Sequence, residues 1–208
     1  MIRADIERRL LARQALLAAG GDVPPLPVDS DFALSGRDTP PETLRAAAVL
    51  VPLVARDGGF SVLLTQRTET MPSHAGQIAF PGGRHQVEDS DLITTALRET
   101  EEEVGIHRDF VEVVAPIDVY VTRTGYAVTP VVGFVKPGFS TTADPREVAD
   151  IFEVPLAFFL DPANHHIHSR TYQGRERHYY AMPYGERYVW GATAGMIRNL
   201  YYILAGKV

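Results

Sequence analysis

The chain has 208 residues, with 20 Lys and Arg against 26 Asp and Glu, and it contains no cysteine. This length predicts one domain, or one domain with a short appendage, and the apolar fraction of 45% excludes a disordered, collagen-like or coiled-coil chain. The formal net charge of −6 argues against broad nucleic-acid binding, and the lack of cysteine excludes disulfides, thiolate catalysis and cysteine-ligated zinc.

No segment of the sequence reads as a membrane helix. The longest apolar stretch is 46–55, far short of the about 20 residues that a bilayer span requires. Charged residues throughout 3–13 interrupt any signal-peptide core. We therefore expect a cytoplasmic protein that makes no use of a membrane.

The amino-terminal region is predicted to be an arm. Apolar residues recur at helical spacing over 2–19, Gly20 ends this helix, and prolines prevent it from restarting in a connector that runs to residue 42. We predict an arm at 1–42 and a domain at 43–208. The arm is expected to pack on the domain or on a partner subunit without chemistry of its own. The oligomeric state stays open, with a homodimer among the alternatives.

The remainder of the chain alternates strands with a few helices. The predicted elements are strands at 46–54, 60–65 and 74–80, a helix at 91–104, strands at 110–121 and 128–135, extended or mixed structure at 147–154, a helical turn at 156–160, a hairpin of 165–172 and 177–189, and a helix at 192–204. This order favours a mixed sheet covered by helices, an α/β (α+β) fold.

Three glutamates share one face of the predicted helix 91–104. Glu99, Glu102 and Glu103 stand at i, i+3 and i+4, a spacing at which like charges repel. Arg98 lies beside them, but one guanidinium cannot neutralise three carboxylates. Hard divalent cations prefer oxygen ligands, so the spacing indicates a metal site that could carry a diphosphate and activate water. The alternative is a solvated acidic helix face.

The segment from Gly83 to Ile106 resembles the Nudix box, G-x5-E-x7-R-E-U-x-E-E-x-G-U, in which U is aliphatic. The second half of the box is matched by Arg98, Glu99, Glu102, Glu103, Gly105 and Ile106. Thr100 replaces an aliphatic residue, and the first half is one residue longer, so that its glutamate falls on Ser90 with Asp89 beside it. The resemblance implies a Nudix-type α/β/α sandwich, metal binding by the three glutamates, and an Arg98 that holds the helix carboxylates and the loop in place.

A second segment, directly upstream, is similar to the signature of the coenzyme A pyrophosphatase subfamily, roughly L-L-T-x-R-S-x3-R-x-H-x-G-Q-x-x-F-P-G-G. It spans 63–83 in this sequence. The resemblance implies that substrate is bound by Arg67, His74, Gly76, Gln77, Phe80, Gly82 and Gly83. Thr68 replaces a serine, and Pro72 stands where the signature has an arginine, so one cation is missing. Arg67, Arg84 and Arg123 are the candidates to replace it.

Other polar and aromatic residues carry weaker signals. Glu147 follows a loop and is a candidate for the catalytic base, although one of the helix glutamates could serve instead. The histidines at 165, 166 and 168 do not share one strand face, so we expect them to be structural. Trp190 and the Tyr179-Tyr180 pair could stack on adenine, but core packing is favoured.

The resemblance implies a Mg²⁺- or Mn²⁺-dependent hydrolase that cleaves coenzyme A or its thioesters to 3′,5′-ADP and 4′-phosphopantetheine or its acyl form. The catalytic residues would be Arg98, Glu99, Glu102 and Glu147. The expected partner is thus a small nucleotide substrate. Two alternatives stay open: a Nudix hydrolase of another nucleoside diphosphate derivative, such as ADP-ribose, NADH or a modified nucleotide, and a non-catalytic nucleotide sensor.

Overall fold

The computed structural model describes every residue except 21, 22, 24, 25, 29, 35–39, 173 and 208. Much of the predicted connector, including Pro24 and Pro25, therefore lies outside the described residues. The α-helices are α1 (Arg3–Ala18), α2 (Leu92–Val104), α3 (Leu156–Leu160) and α4 (Ala192–Leu204). The strands are β1 (Arg45–Arg56), β2 (Gly59–Arg67), β3 (Ile78–Ala79), β4 (Gly82–Arg84), β5 (Val111–Pro116), β6 (Tyr120–Val121), β7 (Tyr126–Val135), β8 (Val148–Pro155), β9 (His166–Tyr172), β10 (Arg175–Tyr184) and β11 (Arg187–Trp190).

The strands form two sheets. Strand β1 lies in the middle of a mixed, eight-stranded sheet, where it pairs in parallel with β7 and antiparallel with β2 and β4. The other side of β2 pairs with β8, and β7 also pairs with β5 and β6. A smaller antiparallel sheet has the order β11-β10-β9. The predicted mixed sheet is confirmed.

The large sheet is buried on both faces, which explains the unbroken apolar run of β1. On one face Leu50 and Val54 pack with residues of α2. On the other face Val51 and Leu53 belong to a larger cluster that includes residues of α1, α3, α4 and the small sheet. The result is the predicted sandwich, with α2 alone on one side and most of the other helices opposite.

The amino-terminal helix belongs to the larger core. Ile6 and Leu10 of α1 are completely buried, and α1 contacts α4 and β5. Arg13 donates to Asp118 at 3.0 Å, which ties the helix to the loop after β5. The arm thus packs on the domain, one of its two predicted placements, while the boundary at residue 42 stays a prediction.

Three predicted strands are shorter or split because the backbone turns within them. His74 and Gly76 have φ values of 57° and 67°, so strand 74–80 reduces to β3. Residues 117–119 separate β5 from β6, and a turn with Gly185 at φ 57° separates β10 from β11. Gly82–Arg84 form a strand, β4, where we predict a loop.

None of the described helices is long and apolar enough to span a bilayer.

We expect Leu10→Ala to lower the free energy of unfolding by about 2–5 kcal/mol, because it leaves a cavity beneath α1. Leu16→Ala in the same helix is the matched control, since that side chain is 51% exposed and should change stability by at most about 0.5 kcal/mol. Urea denaturation measures both values. Equal effects of the two substitutions would show that α1 does not contribute to the core.

Candidate active site

The acidic helix α2 is defined at both ends by its own sequence. The side chain of Asp91 accepts a hydrogen bond from the backbone N–H of Thr94 at 2.7 Å and caps the helix start. Gly105 ends the helix in the left-handed conformation, at φ 73°. Thr100, which replaces an aliphatic residue of the box, is buried and donates its hydroxyl to the Ala96 carbonyl at 2.7 Å. The substitution therefore leaves no unpaired hydroxyl on the buried side of the helix.

The last turns of α2 border a cavity of about 210 Å³. Its lining residues are Glu99, Glu102, Glu103, Asp144, Arg146 and Glu147. The loop 142–147 is held against the helix end, because Thr142 and Asp144 donate their backbone N–H groups to the carbonyls of Val104 and Glu103 at 2.8 and 3.0 Å. This contact brings Glu147 to the three helix glutamates, as its candidate role requires. Asp144 and Arg146 were not singled out from the sequence, where nothing indicates how the loop docks.

Glu103 is the most buried of these carboxylates. It accepts a hydrogen bond from the backbone N–H of Gly82 at 3.0 Å, and Arg67 lies 3.7 Å from its other oxygen. Burial raises the pKa of Glu103 to about 7 despite these two contacts. A buried carboxylate in this environment favours either a proton or a bound cation.

Glu99 lies against the backbone of β4. A Cβ atom added to Gly83 would come within 2.5 Å of the Glu99 carboxylate, so this approach requires glycine. Burial raises the pKa of Glu99, and the charges of Glu102 and Glu147 raise it further, while Arg98 opposes the shift. Glu102 itself is 59% exposed at the open side of the cavity.

Arg98 connects the loop to the helix carboxylates. Its guanidinium donates two bonds to Asp89, at 2.8 and 3.0 Å, and further bonds to Glu99 at 2.9 Å and Glu102 at 3.1 Å. Asp89 is buried, and its hydrogen bonds from Arg98 hold the pKa of that carboxyl well below its usual range. Asp89 therefore occupies the position of the loop acid in the longer box, and Ser90 does not. The exposed Ser90 hydroxyl bonds Thr94 instead.

The signature residues of 63–83 fall into two groups. Arg67, Gly82 and Gly83 meet the glutamates of the cavity directly. His74 and Gln77 are bonded to each other at 3.0 Å in the loop after β2, and Gly76 packs there against Glu69.

Phe80 is only 2% exposed and packs in the larger core. Its role in substrate binding stays a prediction.

The histidines and aromatic residues singled out from the sequence lie outside the cavity. His165 is bonded to the Phe159 carbonyl and packs against Tyr201, in line with a structural role. His166 and His168 are exposed on the small sheet with Trp190, whereas Tyr180 is buried. Arg123 is also engaged elsewhere, since it bonds the Asp31 carbonyl and stacks over Phe32.

The carboxylate cavity is suited to a divalent cation. The carboxylates that line it offer only oxygen donors, and burial, with a smaller contribution from repulsion among the acids, raises the pKa of both Glu99 and Glu103. Within the described residues, no three His, Asp or Glu side chains already converge at ligand spacing. Two of the glutamates are turned towards Arg98, so cation binding would require them to reorient.

We expect metal-free protein to lose stability as pH rises from the ordinary glutamate value of 4.5 to about 7. The folded state holds the Glu103 proton more tightly than the unfolded chain does, so ionisation over this interval costs folding free energy. Glu103→Gln should flatten this decline. Urea midpoints measured across the interval with a chelator present test the expectation.

The matched control for this measurement is Glu101→Gln. Glu101 lies in the same helix but pairs with Arg108 outside the cavity. That pairing lowers the Glu101 pKa, so its titration lies below the interval and the control should keep the parental slope. If Glu103→Gln also keeps that slope, burial of Glu103 does not govern the pH dependence.

Comparisons with known proteins agree with this geometry. The NUDIX domain model matches residues 44–173. The uncharacterized Nudix hydrolase NudL of Photorhabdus laumondii is 42% identical over 165 residues, covering 77% of this chain and 88% of that protein. NudL of Escherichia coli O7:K1 is 44% identical over 161 residues, covering 76% of this chain and 83% of that protein.

The fold has a counterpart among solved structures. DR0079 from Deinococcus radiodurans superposes with a TM-score of 0.51 at 12% identity, over 79% of this chain and 89% of that one. Nudix hydrolases act on diphosphate bonds of small nucleotide-derived substrates and generally use divalent metal ions. The matched domain and the identity to NudL over most of both chains show that this protein belongs to the Nudix hydrolase family.

Proposed function

We propose that this protein hydrolyses the diphosphate bond of coenzyme A or its thioesters with Mg²⁺ or Mn²⁺. The observation that carries the proposal is that the coenzyme A signature and the carboxylate cavity share a wall. Arg67 faces Glu103, and the backbone N–H of the next residue, Thr68, donates to the Glu147 carbonyl at 2.9 Å. A diphosphate at the glutamates would therefore lie beside the signature loop.

The side chains of the cavity would have separate roles in metal binding and proton transfer. Glu99, Glu102 and Glu103 would hold the cation. Glu99 and Glu102 would turn to it from Arg98, which its two bonds to Asp89 anchor beside them. When bound, a divalent ion activates water and stabilises charge on the bridging and leaving oxygens. Water adds its oxygen to one phosphorus, and the bridging oxygen leaves with the other phosphate. Glu147, or one of the helix glutamates, accepts the proton that the water releases.

Arg84 is our candidate to replace the cation that is missing at Pro72. It directly follows Gly83 in β4, and its side chain is exposed. Among the described residues, no ion pair engages its guanidinium. Arg67 is drawn towards Glu103 and Arg123 towards Asp31, which leaves Arg84 available for a substrate phosphate.

We expect the purified protein to convert coenzyme A to 3′,5′-ADP and 4′-phosphopantetheine with Mg²⁺ or Mn²⁺, and to act less well on ADP-ribose and NADH. Product analysis across this panel tests the substrate. Preferential cleavage of ADP-ribose or NADH would assign the alternative specificity. Binding of these compounds without any cleavage would indicate a sensor.

Glu102→Gln should lower kcat by about 10²- to 10³-fold, because it removes a negative ligand from the cation that stabilises the transition state. Glu101→Gln, the neighbouring residue that faces Arg108, should keep activity near that of the parent. Steady-state kinetics at saturating Mn²⁺ measure both. An unchanged kcat in Glu102→Gln would remove this glutamate from the proposed site.

Glu147→Gln should lower kcat by about 10²- to 10⁴-fold if Glu147 is the base, and should abolish the acidic limb of the pH–rate profile. Its control is Glu153→Gln, since Glu153 pairs with Arg56 elsewhere on the surface. Recovery of activity by excess Mn²⁺ would instead make Glu147 a metal ligand. A normal profile in Glu147→Gln would assign the proton transfer to the helix glutamates.

A further inference from the structure

The two faces of the small sheet differ in chemistry. One face lies against α4 and buries Tyr180, Met182 and Val189. The opposite face carries aromatic and histidine side chains, as the strand register shows: His168 pairs with Tyr179, and Ala181 lies between His166 and Trp190. We call this surface the aromatic face; it consists of His166, His168, Tyr179, Tyr188 and Trp190.

The rings of the aromatic face form a continuous strip. Consecutive ring centroids are 6.0 Å apart from His166 to His168, 6.0 Å from His168 to Tyr188, and 6.5 Å from Tyr188 to Trp190, with adjacent planes tilted by no more than 35°. Both histidines are exposed, and Tyr188 is 37% exposed. A strip of rings that faces solvent is typical of a binding surface.

The charge of this face is positive, in a chain whose net charge is −6. Arg170 pairs with Arg177, and Arg175 pairs with Tyr172. Side chains alternate along a strand, so these three arginines lie on the same side of the small sheet as the aromatic rings. None of the described residues on this side of β9, β10 and β11 is acidic. The Arg170 guanidinium lies 5.0 Å over the Trp190 ring, and a guanidinium stacked in this way directs its N–H donors sideways towards an anion.

The small sheet is bonded at both ends of β11 to the segments that lead to Arg67 and Gly82. Arg187, at the start of β11, donates to Gln66 at 2.7 Å, one residue before Arg67. Thr193, just after β11, donates to the Ile78 carbonyl in β3 at 3.0 Å. Strand β3 leads through Pro81 to Gly82, which bonds Glu103.

We propose that the aromatic face binds the adenine ring and the 3′-phosphate of the substrate, an inference that rests on the proposed function. A planar base matches the rings by stacking, and a phosphate matches the arginines by charge. A second copy of this chain fits less well, because its carboxylates can meet the arginines but are not joined to a planar base. Adenosine 3′,5′-bisphosphate contains both required groups and is the product expected to stay on this face.

Trp190 gives a direct readout of binding, because it is the single tryptophan of the chain. We expect 3′,5′-ADP to quench its fluorescence saturably in metal-free protein, where no turnover occurs. Phosphopantetheine, which lacks the base, should leave the emission unchanged. Free tryptophan titrated in parallel corrects for absorption by the nucleotide. No saturable change with 3′,5′-ADP would overturn the proposal, as would tighter quenching by a short RNA.

Substitutions test whether the ligand binds to the aromatic face. Tyr188→Leu should raise KM for coenzyme A by about 5- to 140-fold, the range of one lost stacking contact, with kcat little changed. Arg170→Gln should raise KM about tenfold or more for coenzyme A but not for its 3′-dephospho form. The control is His178→Leu, since His178 is exposed in the middle strand β10 but pairs with Ser169 on the other face. Equal KM values in Tyr188→Leu and the control would refute the assignment.

The two measurements separate this inference from the proposed function. If 3′,5′-ADP quenches Trp190 and Tyr188→Leu weakens that binding, but coenzyme A is not cleaved, the nucleotide-binding face stands and the proposed reaction fails. If coenzyme A is cleaved while neither the fluorescence nor the KM responds, the reaction stands and the aromatic face is not its adenine site.

Discussion

The carboxylates around α2 can lie together because Arg98 stands among them. Its guanidinium donates two bonds to the buried Asp89 and also donates to Glu99 and Glu102. The pairing with Asp89 already uses most of its positive charge. The other acids of the cavity keep most of their negative charge, and burial, with a smaller contribution from these neighbours, raises the pKa of Glu103. The same network that allows the protein to fold with an acidic helix thus leaves carboxylates whose charge a cation would balance.

Backbone atoms, and not only side chains, position the acids of this site. The N–H of Gly82 holds Glu103, and the missing side chain of Gly83 makes room for Glu99. Both glycines belong to β4, which pairs with the middle strand β1. Two of the glutamates are thus positioned by a strand that pairs with the middle of the sheet, and a site on such an element is held more precisely than one on a loop.

Much of this arrangement could be predicted from the sequence. The spacing of Glu99, Glu102 and Glu103 places them on one helix face, and residues 192–204 form the predicted final helix. What could not be predicted depends on contacts between distant segments. Nothing local to Asp144 indicates that its backbone docks on the end of α2, and the burial of Phe80 follows from packing rather than from its motif. The strand predicted at 74–80 failed at His74, whose left-handed backbone is unusual for a residue other than glycine.

The parallel pairing of β1 with β7 has a consequence for how the protein is made. Arg45 lies opposite Tyr126, and all of β2, α2, β5 and β6 are synthesised between these partners. Pairings between segments so far apart in the chain form slowly, because a large loop must close first. A chain still emerging from the ribosome would leave one edge of the apolar strand β1 unpaired until β7 is made, and unpaired strand edges of this kind are what chaperones protect.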